Sequence, residues 1–422
     1  YIRKLLVNIS EGDRITHINQ QGEINMNDFT TVFEALKDLL PMKNLESIVE
    51  DTNTDHGAKK FTALRHLYVL MYAHLKGKRS LRDIESAIEA DHNLKKYTDT
   101  ISYSQISRKN SDRDPKVFEQ MFQAMVSQVT QCQGIRDIPS AWGDLKILDA
   151  TLIRVCLSLF PWAHYRKAVG AVKMHTLIDL VSGCPEKIVV TEGKVHDRYK
   201  MDSFVTSPGI TYIFDRGYTD YEEYDRLCMD DIFFISRLKK RALMEAVSES
   251  QVLGDSNVLS DKEVFLGGFY TRMKNPVRVI EVMDTSKGEP FSIVTNRFDL
   301  SAEEIAQIYR LRWRIELFFK WIKQHLKIKR FYGTSFNAVL NQIYAALILY
   351  CVLKLLHIKL NPKYSFLKMV RLTASGLWNP LTFLTETLKP TGSKSTRRRF
   401  NWKRDYKKLV SEYGVKDVVF TV

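Results

Sequence analysis

The chain has 422 residues, which at about 150 residues per domain suffices for two to four domains or for one core with appendages. Hydrophobic residues make up 45% of it, which excludes a disordered chain. Lys and Arg total 63 against 49 Asp and Glu, a net charge of +14, and a chain this basic usually binds a polyanion, most often nucleic acid. Ribosomal and membrane-surface proteins share this balance, so charge alone leaves the partner open.

The cysteines and the apolar segments bear on the cellular compartment. The five cysteines are scattered and include no C-x-x-C pair, which argues against a zinc ribbon or a secreted disulfide scaffold and predicts a reducing, cytoplasmic environment. The opening stretch turns polar after a few apolar residues, unlike a signal peptide. The most apolar window, residues 342–356, is too short to cross a bilayer, which predicts a buried helix and no membrane partner.

The amino-terminal part is predicted to be helical. Residues 1–25 are expected to be a disordered or non-native leader, because the first residue is Tyr1 and Met26 opens a tidier amphipathic helix. Residues 26–140 then either contain a DNA-binding helix-turn-helix or form a plain helical bundle. Helical segments are predicted at 61–76, after a Ser80 N-cap, at 102–109 and at 115–128.

From residue 144 the pattern changes to short strands separated by helices. Three strands, a helix, a strand, a helix and a final strand indicate an α/β unit. Strands are predicted at 145–154, 173–180, 187–192, 211–214 and 232–237, with helices at 197–204 and 220–229. Glycine-rich turns and short β patterns between residues 240 and 297 indicate a β-rich insertion.

Residues 301–330 are predicted to form one long helix that carries the most informative side chains. Ser301 and Glu304 form a capping-box pattern at its start. At about 100° per residue, four polar side chains fall within an arc of roughly 60°. They are Tyr309, Arg312, Glu316 and Lys323. Such a face is typical either of a helix that binds a polyanion or of a surface helix with intrahelical pairs.

Two isolated aspartates, Asp149 and Asp215, lie in or directly after strand-like apolar runs. An ionised carboxylate in that position is costly unless it is paired or bound to a metal. Together with Glu316 they give three carboxylates with few soft ligands nearby, a set that suits Mg²⁺ or Mn²⁺ rather than zinc. Two such ions can activate a water or a 3′-hydroxyl and stabilise the leaving oxygen of a phosphodiester.

These residues, taken in order, give the chain a family resemblance over roughly residues 140–355. The motifs are Asp149-Ala-Thr, Asp215-Arg-Gly-Tyr, Val294-Thr-Asn-Arg and the spacing Tyr309-x2-Arg312-x3-Glu316-x6-Lys323. The chain thereby resembles the cut-and-paste DDE transposases of bacterial insertion sequences, specifically the group known as insertion sequence family four, which carries a Tyr-Arg-Glu-Lys signature. Residues 60–122 resemble, more loosely, the amino-terminal domain of many members.

The resemblance implies a domain organisation. The fold would be an α/β, ribonuclease H-like catalytic core interrupted by the β-rich insertion, with a helical amino-terminal domain and a helical, basic C-terminal region. Residues 26–140 would bind the DNA ends. The core would comprise residues 141–237 and 298–356, the insertion residues 238–297, and the C-terminal region residues 357–422.

The resemblance also implies the roles of individual residues. Asp149 on the first strand, Asp215 on the fourth and Glu316 on the helix after the insertion would be catalytic and would together bind two Mg²⁺ ions, for which Mn²⁺ can substitute. The remaining site residues would hold phosphates of the transposon end. These are Tyr309, Arg312 and Lys323, with Arg216 as a further candidate.

The implied enzyme is a DNA transposase that transfers phosphoryl groups at 3′-oxygens. A nick frees a 3′-hydroxyl that attacks the opposite strand to form a hairpin; water opens the hairpin, and the 3′ ends then join target DNA. The implied partners are double-stranded DNA, first the terminal inverted repeats of its own element and then the target, and a second copy of the chain in an end-paired homodimer. Such an enzyme works in the bacterial cytoplasm, on the nucleoid when bound to DNA.

One feature departs from the family. In its relatives a tryptophan of the β insertion takes the place of a flipped base during hairpin formation, whereas this chain has no tryptophan between Trp162 and Trp313. Phe265, Phe269 and Tyr270 offer an aromatic face for stacking, or they pack within ordinary strands.

The C-terminal region adds a basic segment. Residues 389–408 hold nine basic residues and one acid with three aromatics between them, a pattern typical of polyanion binding or of a solvated tail. Two alternatives to an active transposase stay open. One is a DNA-binding derivative that is silent in catalysis, and the other is a metal-dependent nuclease of the same fold that cleaves without joining.

Overall fold

The structure is a computed structural model that describes residues 30–131, 138–250, 257–284, 288–326, 328, 330–361 and 363–389. Within these residues it contains thirteen α-helices and ten β-strands. The predicted leader, the residues at Met26 and nearly all of the basic segment 389–408 lie outside the described residues.

Seven helices form the amino-terminal part. They are α1 (Val32–Asp38), α2 (Met42–Asp51), α3 (Ala63–Leu75), α4 (Leu81–Ala90), α5 (His92–Thr98), α6 (Tyr103–Asp112) and α7 (Lys116–Gln131). The predicted helices are present, and the Ser80 hydroxyl accepts the Asp83 N–H at 3.1 Å as the expected N-cap of α4. The sequence pattern missed α2, which buries only Leu45, and α5, which has only 7 residues.

Ten strands follow, joined into one sheet. They are β1 (Leu145–Val155), β2 (His164–Arg166), β3 (Val169–Asp179), β4 (Cys184–Glu192), β5 (Thr211–Phe214), β6 (Phe233–Arg237), β7 (Met244–Ser250), β8 (Val258–Leu266), β9 (Val277–Asp284) and β10 (Glu289–Thr295). The strand order is β2-β3-β1-β5-β6-β10-β9-β8-β7, and β4 pairs with β3. β1 is antiparallel to β3 but parallel to β5, which is in turn parallel to β6. The five predicted strands are present, whereas β2 and β7 were not predicted.

The β-rich insertion extends this sheet instead of forming a separate one. Its last strand, β10, is antiparallel to β6, with Ile293 opposite Arg237. The sheet therefore runs without interruption from the edge at β4 through the central strand β1 to the insertion.

Alternating side chains place a separate hydrophobic core on each face of the sheet. Ile147 of β1 and Ile213 of β5 belong to the larger core, which also includes the helices of the amino-terminal part. Leu148 and Phe214, their neighbours in sequence, belong to the smaller core on the opposite face, against α8 (Tyr221–Met229). Residues at odd positions of β1 therefore point towards the larger core.

The helices after the sheet differ from the prediction in one respect. They are α9 (Ala302–Arg310), α10 (Trp313–His325), α11 (Phe336–Leu360), α12 (Phe366–Ser375) and α13 (Thr382–Leu388). The single helix predicted over residues 301–330 is wrong, because the chain forms two helices separated by Leu311 and Arg312. At that point the Leu311 and Arg312 N–H groups bond to carbonyls three residues back, at 2.9 and 3.1 Å, so the turn is tighter than an α-helix.

The helix α11 joins the two halves of the protein. Its central residues are buried, as predicted for residues 342–356, and it contacts α3, α6 and α7 on one side and β4 on another. Among the described residues it is the one helix long and apolar enough to cross a membrane, and most of that apolar stretch is buried inside the protein. It therefore serves as a core helix here, and the amino-terminal helices pack on the same core as the sheet.

A buried histidine lies at this junction. His74 of α3 is 1% exposed, with Nδ1 2.6 Å from the Leu326 carbonyl oxygen and Nε2 3.1 Å from the Gln342 carbonyl oxygen. A neutral imidazole has one N–H and donates to only one of them. Burial lowers the pKa of His74 to about 4, so the ring is neutral at physiological pH.

This histidine predicts an acid-sensitive fold. The unfolded chain takes up a proton on His74 near pH 6.5 and the folded chain only near pH 4, so folding stability falls as pH drops through that window. From about pH 7 to about pH 5 we expect His74 to account for a loss of about 2 kcal/mol. Urea unfolding of His74→Gln should show a correspondingly shallower pH dependence than wild type. The exposed His56→Gln is the control, and equal slopes for both variants would contradict the prediction.

Candidate active site

The two aspartates lie side by side on adjacent parallel strands. Ile147 of β1 is opposite Ile213 of β5, so two residues further on Asp149 and Asp215 stand at the same level on the same face. Asp215 directly follows β5, and its Oδ1 accepts the Gly217 N–H at 2.6 Å. This bond orients the second carboxylate at the end of its strand.

Glu316 is linked to Asp149 through an arginine. The guanidinium of Arg312 donates to Asp149 Oδ2 at 3.2 Å and to Glu316 Oε1, which is four residues away on α10. The Arg312 and Asp149 side chains are both 18% exposed, so solvent screens this contact only weakly. The intrahelical pair considered from the sequence is present, but it faces the sheet rather than open solvent.

Two buried arginines hold the start of α9 and so set the position of the helix pair. Arg278 of β9 forms a bidentate pair with Asp261 and donates to the Arg297 and Leu300 carbonyls at 2.7 and 2.6 Å. Arg297 pairs with Asp299 and donates to Thr211 Oγ1 at the start of β5. The insertion and the core are therefore both fastened to the segment that leads into α9.

The capping box at the start of α9 is as the sequence predicts. The Ser301 hydroxyl accepts the Glu304 N–H at 3.2 Å, and the Glu304 carboxylate accepts the Ser301 N–H at 2.9 Å. The other oxygen of Glu304 accepts the Trp142 indole N–H at 3.0 Å.

The remaining predicted residues surround the carboxylates. Lys323 of α10 donates to Thr151 Oγ1 at 2.5 Å and to the Leu152 carbonyl at 2.9 Å, so it meets β1 just beyond Asp149. Tyr309, at the end of α9, is half-buried, and burial raises its pKa. Arg216 is exposed beside Asp215. All seven residues singled out from the sequence thus lie at the carboxyl end of β5, along β1 or on the helix pair facing them.

The electrostatics of the site centre on Asp149. The pKa of this carboxyl is raised to about 7: burial contributes most, the charges of Asp215 and Glu316 act in the same direction, and Arg312 and the Ala150 N–H act against them. Three carboxylates therefore contribute to the electrostatic potential at Asp149, and Arg312 bridges two of them. The excess negative charge makes the site attractive to cations.

The chemistry of the three carboxylates favours metal binding, whereas their spacing in this structure does not. Carboxylate oxygens from three separate elements are the ligands that a hard divalent ion prefers. Within the described residues, however, no group of three or more His, Cys, Asp or Glu side chains is gathered closely enough to hold an ion. The Arg312 guanidinium lies between Asp149 and Glu316 and pairs with both.

A second polar cluster near the site was not identified from the sequence. Asp197 accepts the Lys173 Nζ–H at 3.1 Å and faces His175 Nδ1 at 3.7 Å, and Lys173 and His175 are buried on β3. The neighbouring His196 is exposed, and its Nδ1 accepts the Arg198 N–H at 3.4 Å. The contacts of Asp197 come from β3, which the local sequence does not reveal.

The aromatic residues of the insertion fall into two groups. Phe265 of β8 is half-buried and lies under the Arg272 guanidinium at 4.9 Å, so it packs within the sheet. Phe269 and Tyr270, in the turn after β8, are 92% and 95% exposed. Gly267 shapes this turn with a φ of +101°, and a Cβ there would lie 2.0 Å from the Thr271 carbonyl oxygen. Strand packing therefore accounts for Phe265 but not for the two turn residues.

The chain is similar to known transposases over much of its length. Residues 143–352 match the family described as transposase DDE domain, and residues 29–97 match a domain of unknown function (DUF4372). The chain is 28% identical over 363 residues to a probable transposase for insertion sequence element IS5377 of Geobacillus stearothermophilus, covering 83% of this chain and 92% of that one.

Two further relatives and one solved structure are similar over shorter or looser alignments. The putative transposase y4zB of Sinorhizobium fredii is 33% identical over 50% of this chain and 60% of its own length. The putative transposase for insertion sequence element IS4SA of Synechocystis sp. is 27% identical over 61% and 72%. The cryo-EM structure of a piggyBac transposase synaptic complex with hairpin DNA aligns with a TM-score of 0.48 at 11% identity, over 93% of this chain and 87% of that one.

The bridging arginine predicts a charge-dependent loss of stability. In Arg312→Gln the buried Asp149 and the nearby Glu316 lose their shared cation, so the protein should unfold about 2 kcal/mol more easily in EDTA. Arg314→Gln, on the exposed face of the same helix, is the matched control and should unfold like wild type. Thermal or urea unfolding measures both, and an equal effect of the two substitutions would rule out the bridge as a stabilising contact.

Proposed function

Because this chain belongs to the DDE transposases of bacterial insertion sequences, we propose that it cuts its own element out of DNA and joins the freed 3′ ends to a target. Asp149, Asp215 and Glu316 are the catalytic carboxylates of this proposal. The observation that carries it is the register that puts both aspartates on one face of the sheet, with Glu316 tied to Asp149 through Arg312. Work of this kind takes place in the bacterial cytoplasm, on nucleoid DNA.

The core is proposed to have a ribonuclease H-like fold. Three antiparallel strands, in the order β4-β3-β1, continue into the parallel strands β5 and β6. Asp149 lies on the first strand of this unit, Asp215 after the fourth, and Glu316 on a helix that follows the insertion. This arrangement supports the family resemblance of the motifs, including the Tyr-Arg-Glu-Lys signature of insertion sequence family four.

The three carboxylates are proposed to hold two Mg²⁺ ions, or Mn²⁺ in their place. When bound, such ions activate the attacking oxygen and stabilise the leaving oxygen of a phosphodiester. The all-oxygen donor set and the mutual repulsion of the carboxylates at Asp149 support this role. Binding at all three side chains requires Arg312 to release at least one of its two partners.

DNA phosphates are proposed as the partners that the cationic side chains of the site bind once they release their present contacts. Arg312, Lys323 and Tyr309 line the same face as the carboxylates, and Arg216 stands exposed beside Asp215. An Arg312 that leaves a carboxylate can form a bidentate contact with a phosphate of the element's end. The ends are proposed to be paired by a homodimer, which brings both cut sites together before joining.

The tip of the insertion is proposed to stack on a base while the hairpin forms. Phe269 and Tyr270 offer two solvent-exposed aromatic faces at a turn that glycine holds in shape. Stacking on a base requires only such a face and is worth about 1–3 kcal/mol per base. These two residues therefore take the part that a tryptophan plays in the relatives with the same signature.

The carboxylate assignment predicts a separation of binding from cleavage. Glu316→Gln removes a charged oxygen while nearly keeping the side-chain shape, so binding of an element end should remain and its cleavage should fall to below about one thousandth of wild type. A labelled fragment carrying one end, incubated with Mg²⁺ or Mn²⁺ and resolved on a denaturing gel, measures cleavage, and a mobility shift measures binding. Glu303→Gln, on the neighbouring helix α9, is the control.

Each outcome of that experiment separates the candidate functions. A wild-type nick followed by a hairpin and by joining supports the transposase. Binding without any cut in either metal points to a silent DNA-binding derivative, and cuts without joining point to a nuclease. If Glu316→Gln loses binding together with cleavage, its role as a metal ligand is wrong.

The aromatic tip predicts a defect at one step only. Replacing Phe269 and Tyr270 together by alanine should reduce hairpin formation between about 5- and 100-fold while leaving the first nick at the wild-type rate. Val247→Ala, an exposed apolar residue on β7 of the same insertion, should change neither step. Time courses on the same gel resolve nick and hairpin, and an unchanged hairpin rate in the double variant would remove these residues from the mechanism.

A further inference from the structure

The amino-terminal helices carry a basic groove distant in sequence from the catalytic motifs. The groove, of about 410 Å³, runs between the loop at residues 57–61 and one side of α6. Four cationic side chains and one carboxylate line it. They are Lys59, Lys60, Arg108 and Lys109, with Asp112.

None of the four cations is neutralised by a neighbour within the described part of the chain. Salt bridges elsewhere in this domain use other side chains, such as Arg113 with Asp55 and Arg65 with Asp99. Lys59, Lys60 and Arg108 are exposed, and Lys109 is half-buried. Four unpaired cations around one groove repel one another unless a polyanion lies in it.

Hydrogen bonds hold both walls of the groove in place, which suits a surface that binds the DNA backbone. A capping box at Ser102 and Gln105 starts α6, and the Tyr103 N–H donates to the Glu85 carboxylate of α4 at 3.0 Å. On the other wall the Arg113 guanidinium donates to the Phe61 carbonyl at 3.2 Å, which fixes the end of the loop. The two walls therefore keep their cations at a set separation without help from the ligand.

A second groove, of about 520 Å³, borders the same helix and provides a contrast. It shares Lys109 and Asp112 with the first, but its remaining charges nearly balance, because Asp51 and Asp114 face Lys116 and the buried, paired Arg113. The excess of positive charge is therefore confined to the side of α6 that faces residues 57–61.

We infer that this groove binds the phosphate backbone of double-stranded DNA. The inference rests on the proposed function, because it takes the bound DNA to be the end of the element. It also assigns a role to part of the segment that matches a domain of unknown function. The four cations contact consecutive phosphates, and these contacts add affinity independently of the base sequence. The groove holds the duplex while the carboxylates act on it elsewhere.

A charge-matched pair of variants tests the groove. In the groove variant Lys59, Lys60, Arg108 and Lys109 are all changed to Gln. In the control variant the same charge is removed from the same domain outside the groove, at Lys43, Arg79, Lys95 and Lys96. The probes are a fluorescent duplex from one end of the element and a duplex of equal length with scrambled sequence, and both are titrated over a range of salt concentrations.

The groove variant should bind both duplexes roughly 10- to 100-fold more weakly than wild type, and its salt dependence should be shallower by roughly one unit for each phosphate that the protein no longer neutralises. The control should stay within about threefold of wild type. Equal losses in the two variants would overturn the inference, because they would show a diffuse effect of net charge.

Cleavage separates this inference from the proposed function. A wild-type protein that binds but never cuts overturns the proposed function and leaves the groove standing. A groove variant that binds like wild type overturns the groove and leaves the catalytic proposal standing.

Discussion

One guanidinium shared by two carboxylates is the constraint around which the site is built. Asp149 sits on the central strand of a sheet, facing a hydrophobic core, where an unpaired charge costs several kcal/mol. Arg312 supplies the compensating charge and joins Asp149 to Glu316. Next to this arginine the chain departs from a continuous helix at Leu311, and buried ion pairs of the insertion hold the preceding segment in place. Stability without a metal and the proposed binding of one are therefore opposed at this residue, since the Arg312 bridge occupies the carboxylates that are proposed as ligands.

At a larger scale, two elements, the sheet and the helix α11, join parts of the protein that the sequence pattern suggests are separate. The sheet passes from the core into the insertion through the β6–β10 ladder, and α11 packs against both the amino-terminal helices and β4. The insertion therefore delivers its aromatic turn, and the amino-terminal helices deliver their basic groove, at fixed positions relative to the carboxylates. A duplex that touches all three surfaces meets a preorganised body rather than tethered modules.

Several features of the fold and of the site could be predicted from the sequence, because the sequence patterns that indicate them are local. The Ser301 capping box, the strand runs and the burial of the apolar window depend on neighbours within a few residues. The family motifs identified Asp149 and Asp215, but only the strand register reveals that they stand at one level. The helix break at Leu311 and Arg312 was not predicted, and it coincides with the contact between Arg312 and a carboxylate on a distant strand. The contacts of Asp197 were also missed, since its partners lie on β3, far from it in sequence.

The position of α11 in the chain affects how the protein is made. This helix lies at the centre of the larger core, yet the helices that pack on it are synthesised long before it. At about 5–20 residues per second, α11 follows α7 out of the ribosome after roughly 10–40 s. During that interval the apolar faces of α3 and α7 lack their native cover, so the amino-terminal helices cannot complete their folding until α11 has emerged. Native structure is reached only late in synthesis, which makes the nascent chain a substrate for chaperones and couples the yield of active protein to their supply.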